Sequence, residues 1–188
     1  MKNDDWLADY FDSGFYEHYW AWQIQEEDEV RLAEDALKLL GASSGHILDW
    51  CGGWGRVSIN FARKGFKVTI LDFTRGYLEA AKVLFAAETL DLEVVEADCR
   101  GVYSSIQADY ATCFFNTAGF FNDVEQVKAF RSLYRALKPK GKFIVDSMNL
   151  LFLAPLIKPI YDTRRSGGYL FRQNNVFDFD TNTLEWRS

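Results

Sequence analysis

The strongest constraint on the fold is a series of five short apolar runs between residues 46 and 148. They read HILDW, FKVTILDF, LEVVEAD, ADYATCFFN and KFIVDSM, and each has the length and composition of a β-strand. Helical patterns or glycine turns separate most of them. Because strands that alternate with helices form parallel sheets covered on both faces, we predict an α/β fold with a doubly wound, mostly parallel sheet.

Apolar periodicity and end signals place four helices around these strands. The first covers EEDEVRLAEDALKLLGA with Gly41 at its end, and the second covers residues 55–64. Thr74 is predicted to cap the third helix, and Asn122 with Glu125 forms a capping box for the fourth, after which LKPKG is predicted to break the chain. The apolar residues assigned to the first, third and fourth helices are Val30, Ala33, Leu37 and Leu40, then Tyr77, Leu78, Ala81, Leu84 and Phe85, then Val127, Phe130, Leu133 and Leu137.

Composition excludes several classes of protein. The chain has 188 residues and 48% hydrophobic residues, which indicates one folded domain with a real core. Its net charge of −6 gives no general attraction to nucleic acid, and no apolar run could span a bilayer or form a signal peptide. The cysteines Cys51, Cys99 and Cys113 have no metal-binding spacing. We therefore predict a cytoplasmic protein with no metal site, no nucleic-acid partner and no membrane partner.

Polar residues occur at the ends of four predicted strands. They are Asp49, Asp72, Asp98 and Asn116. Because ligands bind at the carboxyl ends of the strands in doubly wound sheets, these four residues predict a single binding site. The alternative is that the aspartates are only polar strand ends and helix caps.

The glycine-rich turn in HILDWCGGWGRV indicates which ligand the site holds. A dinucleotide would require the spacing G-x-G-x-x-G, but Ser58 stands at the third position after Gly53 and Gly55. Asp49 at the mouth of the turn would also repel a pyrophosphate. A cationic ligand such as S-adenosylmethionine would instead be attracted, and Asp72 and Asp98 could then accept its ribose hydroxyls and its adenine amino group.

The sequence resembles the class I S-adenosylmethionine-dependent methyltransferases, and more narrowly a small-molecule-type group whose first motif reads like LDLCCGYGRH. The matching segments are ILDWCGGWGRVSINFARKGFKVTILDFT, VVEADCR, FFNTAGFF and LYRALKPKGKFIVD. The resemblance implies a Rossmann-like fold and S-adenosylmethionine as cofactor. It implies cofactor contacts for the methionine end by Asp49, Gly53 and Gly55, for the ribose by Asp72, for the adenine by Asp98, Phe73 and Cys99, and near the reacting methyl group by Phe115 and Asn116.

The sequence also departs from that family in its first motif. The family usually has Gly where Cys51 stands and often Cys where Gly52 stands, and Trp54 is bulkier than the usual residue. The segment NTAGFF lacks the N-P-P-aromatic signature of enzymes that methylate nucleobase or glutamine amino groups.

These features together predict a methyltransferase with a small-molecule acceptor. The alternatives are a non-catalytic module that only binds S-adenosylmethionine and, third, an NAD-dependent oxidoreductase. No catalytic residue is assigned, and Tyr16, His18 and Tyr19 are the candidates for a general base.

Three regions follow from this interpretation. Residues 1–45 form a helical arm or lid, 46–150 the S-adenosylmethionine-binding core, and 151–188 the start of an antiparallel flap with a turn near DTNT. Relatives continue beyond such a flap, so we expect the chain to be C-terminally incomplete and to expose a strand edge. Self-association as a homodimer is the favoured outcome, and a marginal monomer is the alternative.

Overall fold

The computed structural model describes residues 11, 26–149, 152, 155, 160–164, 170–178, 180–181 and 183–187. The chain divides into two compact units, Met1–Ser147 and Met148–Ser188. The finer division into residues 1–45, 46–150 and 151–188 stays a prediction. None of the helices in the described part of the chain is long and apolar enough to cross a bilayer.

The first unit is a five-stranded parallel sheet with intervening helices. Its helices are α1 (Glu26–Leu40), α2 (Ser58–Arg63), α3 (Arg75–Ala87) and α4 (Asp123–Ala136), and its strands are β1 (His46–Trp50), β2 (Lys67–Asp72), β3 (Glu93–Glu96), β4 (Ala108–Cys113) and β5 (Leu137–Val145). The strand order is β3-β2-β1-β4-β5. The order reverses between β1 and β4, which is the point where doubly wound sheets bind ligands. The predicted Rossmann-like fold is therefore confirmed.

Both faces of the central strands β1 and β2 are buried, as expected for parallel strands with helices on each side. Alternate residues of β1 and β2 face opposite clusters: Ile47 and Val68 belong to one, and Leu48 and Leu71 to the other. The first cluster includes residues of α1, α2 and α3, whereas the second includes residues of α4. The apolar runs of the sequence are thus continuous because neither face of these strands meets water.

Of the three helix end signals, Gly41 is confirmed, and the capping box is confirmed for one of its two hydrogen bonds. The Asn122 side chain accepts a hydrogen bond from the Glu125 backbone N–H at 3.1 Å, and Gly41 has a left-handed backbone (φ 66°) just after α1. Thr74 precedes α3 as predicted, but its hydroxyl makes no capping bond. Its backbone N–H instead donates to the Asp72 carboxylate at 2.8 Å, so an aspartate at the strand end supports the start of this helix.

The buried face of α4 differs from the predicted one. Val127 is 48% exposed and Phe130 is 39% exposed, whereas Ala129, Leu133 and Ala136 are buried. Small alanine side chains let the helix backbone approach the sheet closely, and the larger apolar residues are displaced towards solvent. A prediction based on side-chain hydrophobicity alone is therefore confirmed at Leu133 and Leu137, which are buried, and wrong at Val127 and Phe130.

The predicted chain break at LKPKG is also wrong, because Leu137 begins β5 and the whole segment lies within that strand. Two features make a strand tolerable at this place. The β4–β5 register shifts between Ala108 and Tyr110, and β5 is an outer strand of the described sheet. Proline is compatible with edge strands and irregular pairing, so Pro139 does not end the element.

The second unit is a three-stranded antiparallel sheet, which confirms the predicted antiparallel flap. Its strands β6 (Ile160–Arg164), β7 (Leu170–Asp178) and β8 (Thr183–Arg187) have the order β6-β7-β8. The Asp178 carboxylate accepts the backbone N–H groups of Asp180 and Thr181 at 2.9 and 3.3 Å and so forms the predicted turn. Strand β6 was not predicted from the sequence.

Candidate functional site

The carboxyl ends of β1, β2, β3 and β4 surround a cavity of about 190 Å³. Seven of the nine predicted site residues line it, namely Asp49, Gly53, Asp72, Phe73, Asp98, Cys99 and Phe115. Gly55 and Asn116 are not among the lining residues. The structure therefore brings most of the predicted site together, while the role of each residue stays a prediction.

The glycine turn after β1 forms one wall of this cavity. Gly53 has a left-handed backbone (φ 55°), and its N–H donates to the Asp72 carboxylate at 2.9 Å, which ties the turn to the end of β2. Gly55 lies beneath the turn, where an added Cβ would come within 2.8 Å of the Ile70 side chain. Gly55 thus allows the turn to pack on the core. This packing explains why the position holds glycine, and no contact with a ligand is required for that.

The apparent exchange of Cys51 and Gly52 has a structural consequence. Cys51 occupies a left-handed conformation (φ 60°) at the position where the family usually has glycine, and its N–H donates to Leu71 O at 2.7 Å. An added Cβ at Gly52 would lie 2.6 Å from an Asp49 carboxylate oxygen. A residue with a side chain at position 52 would therefore displace Asp49. Cys51 adopts the left-handed backbone conformation at this turn, although that conformation is unfavourable for residues other than glycine.

Asp49 is buried beneath the turn. The hydroxyl of Ser58 donates to one carboxylate oxygen, and the hydroxyl of Thr112 donates to the other at 2.9 Å. Burial raises the pKa of Asp49 from 3.8 to about 6, the two hydroxyl donors oppose this rise, and the charge of Asp72 adds to it. No basic side chain among the described residues forms an ion pair with Asp49.

Asp72 ends β2 and is buried as well. Its two oxygens accept the backbone N–H groups of Gly53 and Thr74. Burial raises the pKa of Asp72, and these backbone hydrogen bonds counteract the rise. Because each carboxylate oxygen has two lone pairs, one bond to each leaves Asp72 with acceptor capacity on the side of the cavity.

Asp98 is half exposed and is engaged by a neighbouring cation. It accepts the backbone N–H of Arg100 at 2.8 Å, and the Arg100 guanidinium contacts both of its oxygens at 2.6 to 3.0 Å. These contacts lower the pKa of Asp98. Arg100 also pairs with Glu125 at 3.3 Å. An adenine amino group at Asp98 would have to share this carboxylate with Arg100, a residue that the sequence interpretation overlooked although it stands in VVEADCR.

Aromatic rings form the remaining walls of the cavity. The Phe11 ring lies 5.8 Å from Phe73, 6.3 Å from Tyr77 and 6.0 Å from Phe120, each in an edge-to-face arrangement. Phe11 belongs to the predicted N-terminal arm and lines the cavity, while the role of that arm as a lid stays a prediction. The base candidates Tyr16, His18 and Tyr19 lie outside the described residues.

The basic side chain of Arg56 contacts two further aromatic rings of the cavity wall, Trp54 and Phe115. The Arg56 guanidinium lies 5.0 Å from the Trp54 ring centre and 4.8 Å from that of Phe115. It also forms an ion pair of 3.0 Å with Glu29 of α1, and both side chains are largely buried. Trp54 also lines the cavity. The sequence interpretation missed Arg56, although it directly follows the last glycine of the turn.

Comparison with known proteins identifies the family. The family model described as a methyltransferase domain matches residues 47–141. YqeM of Bacillus subtilis, a methyltransferase by name, is 34% identical over 105 residues, which cover 54% of this chain and 42% of YqeM. The ubiquinone/menaquinone biosynthesis C-methyltransferase UbiE of Pectobacterium atrosepticum is 29% identical over 124 residues, which cover 62% of this chain and 47% of UbiE. The chain thus spans less than half the length of these relatives.

A solved structure supports the same assignment at the level of the fold. An S-adenosylmethionine-dependent methyltransferase from Clostridium acetobutylicum superposes with a TM-score of 0.69 at 15% identity, covering 96% of this chain and 79% of that one. The predicted resemblance is confirmed by the family match over residues 47–141, and the chain belongs to the methyltransferase domain family of class I S-adenosylmethionine-dependent methyltransferases.

Proposed function

We propose that this chain is the cofactor-binding part of an S-adenosylmethionine-dependent methyltransferase that acts on a small-molecule acceptor. One observation carries the proposal. Asp49 and Asp72 are buried carboxylates on two adjacent strands, and the glycine turn passes between them. The charge of Asp72 contributes to the raised pKa of Asp49. A ligand with positive charge relieves this repulsion, whereas a pyrophosphate increases it.

The described residues fit the chemical groups of this cofactor. Asp49 supplies negative charge beside the turn, Asp72 offers acceptor oxygens for two ribose hydroxyls, and Phe73 offers an aromatic face beside them. When bound, S-adenosylmethionine supplies a methyl group on a positively charged sulfur that is already a good leaving group. The protein can therefore provide much of the rate by positioning the acceptor. A general base is needed only if the acceptor must lose a proton, and none is assigned.

The turn itself argues against a nicotinamide dinucleotide. The position of the third glycine of the dinucleotide pattern is occupied by Ser58, which is buried and donates its hydroxyl to Asp49. The Ser58 hydroxyl therefore stabilises the ionised form of Asp49 beneath the turn, and its side chain does not leave the space for a phosphate that a glycine would leave.

Three observations support a small-molecule acceptor. Eight of the nineteen residues that line the cavity are aromatic, among them Phe11, Trp54, Phe115 and Phe120. The net charge of −6 gives no general attraction to nucleic acid. The relative UbiE is named for the biosynthesis of ubiquinone and menaquinone, and both of these products are small molecules.

A ligand panel and a transfer assay test this proposal. Calorimetry on the full chain should show binding of S-adenosylmethionine and S-adenosylhomocysteine and no binding of NAD. Tight NAD binding would contradict the proposal. Methyl-labelled S-adenosylmethionine should then be incubated with the protein and a cell extract. Label above that of an extract incubated without the protein is then scored. Such label in molecules that pass a small-pore filter, other than S-adenosylmethionine itself, supports a small-molecule acceptor, and such label only in macromolecules contradicts it. Binding without any transfer would favour the non-catalytic module.

A further inference from the structure

The loop after β4 has a backbone that its side chains do not favour. Phe115 and Asn116 are consecutive residues with left-handed conformations, both at φ 63°. Single left-handed residues other than glycine are uncommon, and two in succession require support from their surroundings. Such conformations persist where neighbouring groups hold them, and they are concentrated at functional sites.

One carboxylate provides that support. Asp146 directly follows β5, and its two oxygens accept the backbone N–H of Phe115 at 3.0 Å and that of Asn116 at 2.8 Å. Its own N–H donates to Cys113 O at 3.1 Å, which fixes Asp146 beside the end of β4. The side chain thus satisfies two successive amides with two acceptor atoms, an arrangement that a carboxylate provides and a carboxamide does not.

The loop held in this way forms part of the cavity wall. Phe115 lines the cavity, and its ring lies 4.8 Å from the Arg56 guanidinium, which in turn faces Trp54 of the glycine turn. Asp146 is not among the lining residues. Any effect of Asp146 on the site must therefore act through the position of Phe115 and its neighbours.

We propose that Asp146 is a positioning residue of the cofactor site. By accepting two amide hydrogens it holds the loop in its left-handed form and keeps the Phe115 ring against Arg56. The shape of the cavity wall at Phe115 then depends on a carboxylate that is not among the lining residues. This inference rests on the proposed function, because it takes S-adenosylmethionine as the occupant of the cavity.

The test replaces Asp146 and a matched carboxylate at the opposite end of the sheet. Asp146→Asn keeps the size of the side chain but offers one acceptor for two amides. Asp109→Asn is the control, because Asp109 also accepts a backbone N–H, that of His46 at 2.9 Å, and is remote from the cavity lining. Calorimetry with S-adenosylhomocysteine and hydrogen exchange of the amides at 115 and 116 are measured on the full chain.

We expect Asp146→Asn to bind S-adenosylhomocysteine about tenfold more weakly and to exchange both amides faster, as for the loss of one charge-assisted hydrogen bond. Asp109→Asn should bind within about twofold of wild type even if its thermal midpoint falls equally. Because glycine adopts a left-handed backbone without strain, adding Asn116→Gly to Asp146→Asn should slow the exchange of the Phe115 amide again.

The possible failures are distinguishable. If Asp146→Asn exchanges the loop amides faster but binds as tightly as wild type, the loop is released without consequence and the positioning role is wrong. Equal losses of affinity in Asp146→Asn and Asp109→Asn would also overturn it, because the effect would then be a general loss of stability. If Asp146→Asn does not fold, the double variant is compared with Asn116→Gly alone, and equal affinities reject the role. Absence of binding by wild type would instead reject the proposed function.

Discussion

Replacing Asp49 by asparagine should stabilise the ligand-free protein. The carboxyl group is buried, and its pKa is raised from 3.8 to about 6. At neutral pH the Asp49 carboxyl is ionised in both the folded and the unfolded protein. Folding must therefore bury a charged carboxylate at a site that favours the neutral carboxylic acid. Because one pKa unit corresponds to about 1.4 kcal/mol, this preference costs about 3 kcal/mol of folding free energy at pH 7. Asparagine resembles the neutral form, and the Ser58 and Thr112 hydroxyls, unlike backbone N–H groups, can turn to accept from its amide. Asp49→Asn should therefore recover up to that amount.

The pH dependence gives this prediction its sign. A carboxyl whose pKa is higher in the folded state contributes most to stability below its unfolded value, near 3.8, where it is protonated in both states. This contribution to stability is lost as the pH rises from 3.8 to about 6. Above about pH 6 the ionisation of Asp49 no longer changes the free energy of unfolding. The advantage of Asp49→Asn should therefore be small at pH 4, should grow between pH 4 and 6, and should be largest at pH 7.

Urea unfolding of wild type and Asp49→Asn across this pH range is the appropriate assay. Asp109→Asn serves as a control of opposite sign, because Lys138 and the His46 N–H lower the pKa of Asp109. That variant should lose stability at pH 7, and the difference from wild type should shrink as the pH falls below the usual range of an aspartate. A destabilised Asp49→Asn at pH 7, or a difference that does not vary with pH, would refute the argument.

The same substitution should weaken cofactor binding. A cationic ligand favours ionised Asp49, so wild type should bind S-adenosylmethionine more tightly at pH 7 than at pH 5 and should release a proton on binding at the lower pH. Asp49→Asn should lose about tenfold or more in affinity, comparable to one hydrogen bond or ion contact to a charged group, and should show no such pH dependence. A variant that is more stable but binds equally well would contradict the role of Asp49.

Three further predictions follow from individual contacts. Asp72→Ala should weaken S-adenosylmethionine binding by roughly 1–3 kcal/mol, the value of hydrogen bonds to a charged acceptor, and unchanged affinity in calorimetry would reject the ribose role. Gly55→Ala should lower the free energy of unfolding by about 2–4 kcal/mol, because its Cβ would overlap a buried isoleucine at a left-handed backbone, whereas Gly76→Ala, with open space in α3, should stabilise by about 0.5–1 kcal/mol. Equal unfolding midpoints in urea would contradict this contrast. Glu29→Ala removes the partner of the largely buried Arg56 and should lower the free energy of unfolding in urea by about 1–3 kcal/mol. Asp28→Ala removes one member of an exposed ion pair and should change that free energy by less than about 1 kcal/mol. A larger effect at Asp28 than at Glu29 would show that burial does not govern the strength of these pairs.

The sheet and the position of the site could be predicted because both depend on local patterns. Each apolar run is a strand, and the polar residue at its end marks the edge where a doubly wound sheet binds ligands. Asp49 and Asp72 were accessible to this reasoning because each lies at or near the end of a strand. Their burial and hydrogen bonds depend on neighbours that are distant in the sequence, so the raised pKa values could not be inferred.

Other features depend on packing between distant segments. The face of α4 was predicted from hydrophobicity, but its alanines decide how closely the helix approaches the sheet. Arg56 is adjacent to the glycine turn, yet its contacts with Phe115 and Glu29 join three separate elements. Asp146 also carries a signal that could have been used, since it follows the fifth strand as the other acids follow theirs. Its function depends on the backbone of a loop whose left-handed residues no local pattern indicates.

The buried and the half-buried acids of the sheet differ in their partners, and this difference connects stability with binding. Half-buried acids have basic partners at both ends of the sheet: Asp109 is paired with Lys138 at 2.7 Å and Asp98 with Arg100 at 2.6 Å. The buried Asp49 and Asp72 are held only by hydroxyl and backbone donors among the described residues. A ligand that binds only the folded state at a concentration of 100 times its dissociation constant adds about 2.7 kcal/mol of stability. That gain is close to the cost of about 3 kcal/mol inferred for Asp49 from its raised pKa. The ligand-free protein thus carries a destabilising buried charge where the cationic cofactor is proposed to bind, and binding of that cofactor opposes the cost.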